Sequence, residues 1–415
     1  MKRFIALVLA LAMLVPFALA GCSKSDGGSG SSSSGGASSG GSSSSGSSSS
    51  GSGGAAAPQE TIKFGGVWGI TGSTKATGDY CREATALAIE AINEAGGVLG
   101  RMFELIEEDE MDTQQTSVNA VQKLLSRGDI VAFFQGTTST NAIAVSPIVR
   151  EAEVIHMAGG SSANVWKQEN PWVWQVRMTD ENTGQLFARA AAVNLGMKKP
   201  AILHITDSFG QGLADGIVEA LGQYDVEIAG VFSFPEKEMQ FAPIVSQVMA
   251  SGCDGLIAIS HDEYSPLIMK EMVAMGKGIP CIGSSSYSSA VTLELAGEAA
   301  MDWYVCSDWD VTVDSPETKA FVEKYVARYG REPTFMGVVA HDSIMLVAEA
   351  IKIAGTTDIP AVNEALAQIK DYKGVMATQT ANANRSFNTV QYLVQNIKRP
   401  DGSIIGEVVD TVSRP

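Results

Sequence analysis

From Thr61 onward the chain alternates between two periodicities. Short runs rich in β-branched and aromatic residues are separated by stretches in which apolar residues return every three to four positions. Strands are expected at 62–70, 102–107, 130–134, 154–158, 201–206, 228–234, 255–260, 280–283 and 303–307. Helices are expected at 82–95, 113–126, 183–195, 212–224, 242–250, 266–275, 316–329 and 338–354. Ala95-Gly96-Gly97 and Ser251-Gly252 supply the glycine that ends a helix in the left-handed conformation. Strand–helix alternation with short connections predicts an α/β fold with parallel sheets covered by helices on both faces. Roughly ten such units exceed one comfortable core, so two lobes are expected. The rhythm changes at the end. Two strand-like runs, 390–397 and 404–412, flank the turn Lys398-Arg399-Pro400-Asp401-Gly402-Ser403 and predict a closing hairpin.

The first 57 residues follow different rules. Lys2 and Arg3 precede an apolar run too short to span a bilayer comfortably, which ends in Leu19-Ala20-Gly21-Cys22. This ending resembles the bacterial lipobox. The resemblance implies a signal peptide at 1–21 and acylation of Cys22, hence a membrane anchor outside the cytoplasm. From Gly27 to Gly54 every residue except Ala37 is Gly or Ser, a composition with nothing to bury. Residues 22–58 are therefore expected to form a flexible linker with a reach of about 30–35 Å.

Charge and motif content narrow the chemistry. Against 29 Lys and Arg stand 46 Asp and Glu, giving a formal charge of −17 and disfavouring a nucleic-acid binder. Gly72-Ser73-Thr74-Lys75 lacks the spacing of a phosphate cradle, and Gly159-Gly160-Ser161-Ser162-Ala163 fails as a nucleophile elbow at its last position. The four histidines, at 156, 204, 261 and 341, have no metal-binding partner in sequence; His156 and His204 read as sheet residues. No catalytic residue, metal or cofactor is expected. The compartment permits disulfides, which leaves open one bridge among Cys253, Cys281 and Cys306, with Cys81 a free thiol.

In open α/β sheets ligands bind beyond the carboxyl ends of the strands. Here those ends carry Gln135-Gly136-Thr137-Thr138-Ser139-Thr140-Asn141, then Ala158-Gly159-Gly160-Ser161-Ser162, then Gly283-Ser284-Ser285-Ser286-Tyr287. Glycines allow a ligand close to the backbone, while hydroxyls and N–H groups at a helix start donate to a small carboxylate. The same residues also serve as helix caps.

Ile62–Val67 through Gly72 and Gly78-Asp79, Ala88–Arg101 with its Asn93-Glu94-Ala95-Gly96-Gly97 ending, Asp109 with Asp112, 120–125, Asp207-Ser208-Phe209-Gly210 and 319–333 together resemble the leucine/isoleucine/valine-binding family. These are extracytoplasmic solute receptors of ABC importers, and the likeness spans 61–415. It implies a type I periplasmic binding fold: lobe 1 at 59–177 with 309–384, lobe 2 at 178–308 with 385–415, and three crossings near 177–179, 307–310 and 383–386. It also implies a mostly monomeric protein that closes on a small molecule and hands it to permease subunits. By the family pattern Thr137, Thr138, Gly160 and Ser162 hold the ligand carboxylate, while Thr77 and Phe209 touch its side chain.

One departure bears on the ligand. Amino-acid binders of this family place an acid after the strand ending at Gly283, whereas this chain has Ser284-Ser285-Ser286. A buried ammonium needs a charged partner. Asp262 or Glu263 is placed to substitute; otherwise both are exposed loop acids and the ligand is a carboxylate or amide without an α-amino group, with Ser285 in its pocket. Trp68 reads either as an apolar wall of that pocket or as sheet packing. A sensory receptor with a signalling partner, or a lipid-anchored hydrolase, are the alternative readings.

Overall fold

The computed structural model describes residues 60–412 apart from Ser73, Asp112, Lys277 and Thr389. The signal-peptide, Cys22 and linker expectations lie outside the described residues. Both lobes belong to one continuously packed unit. No helix among the described residues is long and apolar enough to cross a membrane.

Lobe 1 is built on five parallel strands: β1 (Ile62–Trp68), β2 (Phe103–Asp109), β3 (Ile130–Gln135), β4 (Ile155–Ala158) and β5 (Val173–Gln175), in the order β2-β1-β3-β4-β5. The crossovers are α1 (Lys75–Glu94), α2 (Gln114–Leu125), α3 (Ser139–Ala152) and the single turn α4 (Ala163–Trp166). Lobe 2 repeats this winding. After α5 (Asp180–Arg189) come β6 (Pro200–Ile205), α6 (Ser208–Leu221), β7 (Gly230–Phe234), α7 (Ala242–Ala250), β8 (Gly255–Ile259), α8 (Ser265–Ala274), β9 (Cys281–Gly283), α9 (Ala290–Ala296) and β10 (Trp303–Ser307). The parallel part of its sheet runs β7-β6-β8-β9-β10, the same order as lobe 1 strand for strand.

The chain then returns to lobe 1 with α10 (Pro316–Tyr329), α11 (Phe335–Ala354), α12 (Ile359–Leu366) and the short strands β11 (Tyr372–Lys373), β12 (Thr378–Ala381) and β13 (Phe387–Asn388). It ends in lobe 2 with the hairpin β14 (Gln391–Lys398) and β15 (Ile404–Val412), antiparallel on β10. Gln175 of β5 bridges Ser386, so the third connection between the sheets lies between Asn388 and Gln391, a few residues beyond the 383–386 implied by resemblance.

Central strands are buried along their whole length, as sheets covered on both faces require: all six residues of β6 and all five of β8 are buried. Trp68 is fully buried, donates Nε1–H to Glu107 at 3.2 Å and tilts against Phe134, so it packs in lobe 1 rather than walling a pocket. His156 stacks on Phe133 at 4.7 Å inside β4, and burial lowers its pKa to about 4. No disulfide joins Cys81, Cys253, Cys281 and Cys306. The three-residue β5, the short strands β11, β12 and β13, and the helices α3, α4, α9 and α12 are not among the elements expected from sequence.

The tightest helix contact joins α5 to α6. A Cβ on Gly184 would sit 2.6 Å from the carbonyl carbon of Gly216, so the two backbones touch directly. Gly184→Ala is expected to lower the unfolding free energy in urea by about 1–3 kcal/mol through overpacking. An unchanged stability would show that the two helices are free to separate.

Candidate ligand-binding cleft

In each lobe the parallel strands point their carboxyl ends toward the other lobe, and the loops beyond them line one cavity of about 570 Å³, mouth included. Thr74 and Thr77 follow β1; Thr137, Thr138 and Ser139 follow β3; Gly160 follows β4. From lobe 2 come Phe209 after β6, Ser260, His261, Asp262 and Glu263 after β8, and Ser284, Ser285 and Ser286 after β9. Arg177, Phe335 and Met336 close the inner end. A wider hollow of about 1470 Å³ adjoins it, sharing Ser285 and Phe335, and opens toward the β14–β15 turn.

Eight of the nine residues singled out from sequence thus surround one space: Thr77, Thr137, Thr138, Gly160, Phe209, Asp262, Glu263 and Ser285. Ser162 lies outside the lining. Its hydroxyl caps α4 by accepting from the Asn164 N–H, and its own N–H donates to Ser139 Oγ at 3.0 Å. Gly160 is required there, because a Cβ would come within 2.7 Å of the Ser139 backbone. Two turns from β3 and β4 are thereby pressed together at the start of α3, a fourteen-residue helix whose cap Thr138 and first residue Ser139 line the cavity.

The two threonines before that helix do different work. Thr138 accepts from the Asn141 N–H at 3.3 Å, which leaves its own proton for a ligand. Thr137 instead donates to Glu110 at 3.0 Å. Glu110, 1% exposed, also accepts from Gln135 and Ser117 at 2.9 Å and from Asn141 at 3.4 Å; burial raises its pKa against these four donors. Thr137 can then offer a ligand only its backbone and an acceptor oxygen. Sequence reading missed Glu110; its one signal was an acid immediately beyond a strand end.

On the lobe 2 side, Asp207 caps α6 by accepting from the Gly210 N–H at 2.7 Å and holds His261 Nε2 at 2.7 Å, with Phe209 stacked on the imidazole at 5.3 Å. Although burial disfavours the imidazolium, Asp207 lifts its pKa to about 9, so His261 is a cation. Asp262 is not an exposed loop acid. Its Oδ1 accepts from Ser289 at 2.8 Å and its Oδ2 from Thr77 at 3.0 Å, the latter across the cleft. Burial raises its pKa, and the two hydroxyls and His261 oppose the rise. Glu263 is half-buried in the same lining. The serines after β9 are occupied within lobe 2: Ser284 and Ser286 donate to Ser260 O, and Ser285 to Cys306 O.

The cavity's cations are committed. Arg177 Nε donates to Asp308 at 2.7 Å, between the first and second connections, and Gln391 beyond the third reaches the same carboxylate at 3.4 Å. His261 belongs to Asp207. Asp262 makes no ion pair among the described residues. No group of three or more His, Cys, Asp or Glu side chains among them is arranged to hold a metal.

The His261–Asp207 pair gives stability a defined pH dependence. The folded imidazole's pKa is raised from 6.5 to about 9, so its contribution is complete below 6.5 and lost as pH rises toward 9. With the ring 23% exposed, solvent trims the effect. Urea unfolding free energy is expected to fall by about 1–2 kcal/mol across that window, and His261→Gln to flatten the profile. A flat wild-type profile would mean the imidazole is not held charged.

Residues 61–402 match the periplasmic binding protein family. Leu/Ile/Val-binding protein homolog 3 of Brucella melitensis is 23% identical over 359 residues, covering 85% of this chain and 95% of the homolog. Among solved structures, the branched-chain amino acid transporter substrate-binding protein LivJ of Streptococcus pneumoniae, in complex with isoleucine, superposes with a TM-score of 0.77 at 23% identity, covering 84% of this chain and 99% of LivJ. A solute-binding protein of an ABC transporter from Rhodopseudomonas palustris, in complex with 3,4-dihydroxybenzoic acid, gives 0.77 at 22% identity, covering 85% and 97%. The fold is the type I periplasmic binding fold shared by these structures. The chain belongs to the periplasmic binding protein family: it is an extracytoplasmic solute-binding protein, not an enzyme.

Proposed function

We propose that this protein captures a small α-amino acid between its lobes and delivers it to the permease of an ABC importer. The two lobes close on the ligand, and acylated Cys22 holds the receptor near the membrane by its Gly/Ser linker. The ligand carboxylate lies at the start of α3, taking the Thr138 hydroxyl and nearby N–H groups. Its ammonium lies against Asp262, assisted by Glu263, with Thr77, Phe209 and Ser285 around the side chain and Thr137 and Gly160 shaping the carboxylate end.

The observation that carries this reading is the charge of the cleft. The start of α3 lines the same cavity as Asp262, a carboxylate that has hydroxyl partners but no ion pair among the described residues. One anion site opposite one cation site fits a zwitterion. A ligand without the amino group would leave Asp262 with no counter-charge but the nearby His261, which is already paired with Asp207. The bound isoleucine of LivJ supports the amino-acid class, and the bound dihydroxybenzoic acid of the Rhodopseudomonas protein defines the competing one.

Thermal unfolding of refolded, ligand-stripped protein against amino acids, aromatic and aliphatic carboxylates, and amides decides between them. A ligand at 100 times its Kd adds about 2.7 kcal/mol. At least one amino acid is expected to stabilise, and Asp262→Asn to abolish that shift. Stabilisation by benzoates with none by any amino acid would overturn the amino-acid assignment. No stabilisation by any class would overturn the receptor reading itself.

A further inference from the structure

Asp180 is the first residue of α5, directly beyond the first connection between the lobes, and is 1% exposed. Its backbone N–H donates across the lobes to Ser161 O at 2.9 Å. Neither carboxylate oxygen makes a hydrogen bond of normal geometry, and neither does the neighbouring Ser161 Oγ, although that hydroxyl lies near enough to favour the ionised form. Both lobes enclose the group: a Cβ on Gly212 of α6 would lie 3.1 Å from Asp180 Oδ2 and 3.1 Å from Ser162 Oγ. The carboxylate is therefore pinned where the serine turn of lobe 1 meets a glycine of lobe 2.

An ionised carboxylate enclosed with only one poorly placed hydroxyl beside it is disfavoured. Burial pushes the Asp180 pKa up to about 7; the Ser161 hydroxyl and Arg177 pull it down, and Asp308 and Asp207 push it up. The surrounding charges are already spent. Arg177 is paired with Asp308, Asp207 with His261, and Glu181, next on α5, with Lys167 at 3.4 Å. Asp215, one turn along α6 from Gly212, is bonded to Gln211 at the surface.

We propose that Asp180 is a proton-operated latch: closing the lobes buries its carboxyl and takes up one proton, and opening them admits water and lets it ionise. Ser162 and Gly212 sit on opposite lobes, so opening widens the space around the carboxyl. The sign follows from linkage. Between the ordinary carboxyl value of 3.8 and about 7, the closed form binds more protons than the open form. Acidification through that window favours closure by up to about tenfold per pH unit, and above it the dependence ends. His261, held charged up to about 9, does not titrate there. The latch rests on the hinged-receptor reading and adds a proton to its closing step.

Small-angle scattering of ligand-stripped protein from about pH 8 to about pH 5 tests it. The wild-type radius of gyration is expected to fall as pH falls. Asp180→Asn and Asp180→Leu, neutral at every pH, are expected to lose that dependence and stay near the acid value. A flat wild-type profile overturns the latch even if neither variant folds, and so does a pH response that persists in the variants. Failure of the latch leaves the receptor reading to the thermal panel, which does not depend on it.

Discussion

Two sheets of identical winding oppose their carboxyl edges, and the rest of the molecule follows from that constraint. Each parallel sheet collects helix starts on one edge, so each lobe presents oriented N–H groups and capping hydroxyls toward the other. Facing edges of this kind form a slot rich in donors and poor in mobile side chains. The acids in and around the slot, Asp207, Asp262 and Glu110, balance that positive field, each engaged by hydroxyl, amide or imidazole donors.

Few contacts span the slot, and they are individually weak. Thr77 reaches Asp262, the Ser208 N–H reaches Thr140 Oγ1 at 3.2 Å, and the Asp180 N–H reaches Ser161 O at 2.9 Å. The Val408 N–H reaches Thr312 Oγ1 at 3.0 Å, while Lys167 pairs with Glu181 at 3.4 Å and Arg399 with Glu332 at 3.0 Å. Half-exposed pairs and single hydroxyl bonds of this type contribute about 1 kcal/mol or less each. This arrangement of the lobes is thus held by little, and in the proposed receptor a ligand touching both lobes would decide the balance. The connections are built differently. There the buried Arg177–Asp308 pair, braced by Gln391, ties the first two crossings to the end of the third. Loose contacts at the mouth and a firm junction at the back are what rigid-body closure needs.

Local patterning made most of this fold legible. Nine strands, the closing hairpin and most long helices follow from periodicity, and the hydroxyl-rich turns after β3 and β4 follow from composition. What escaped has physical causes. β5 is three residues long and is a strand only because β4 and Ser386 flank it. The repeated winding of the lobes left no sequence repeat, since sheet order depends on crossovers rather than on residue identity. Two ion pairs and the Thr77–Asp262 bond join residues 54, 131 and 185 positions apart, a separation no periodicity encodes. His261 looked isolated for that reason, and Asp262 looked exposed because its loop is polar on both sides.

The serines at 284–286 show how a gap in a motif can leave a ligand's charge open. Read in sequence, three hydroxyls where an acid is expected leave two readings, a ligand lacking an ammonium or an acid supplied by Asp262 or Glu263. In space those hydroxyls are spent on Ser260 and Cys306 backbone oxygens, which fixes the β8 and β9 loops against each other. That bracing presents the β8 loop, and with it Asp262, to the cleft from one strand over. A carboxylate contributed by the neighbouring strand end reaches the same space, because adjacent parallel strands are only about 4.8 Å apart. The charge a ligand meets is therefore set by which loops the sheet brings together, and a substituted motif position need not change it.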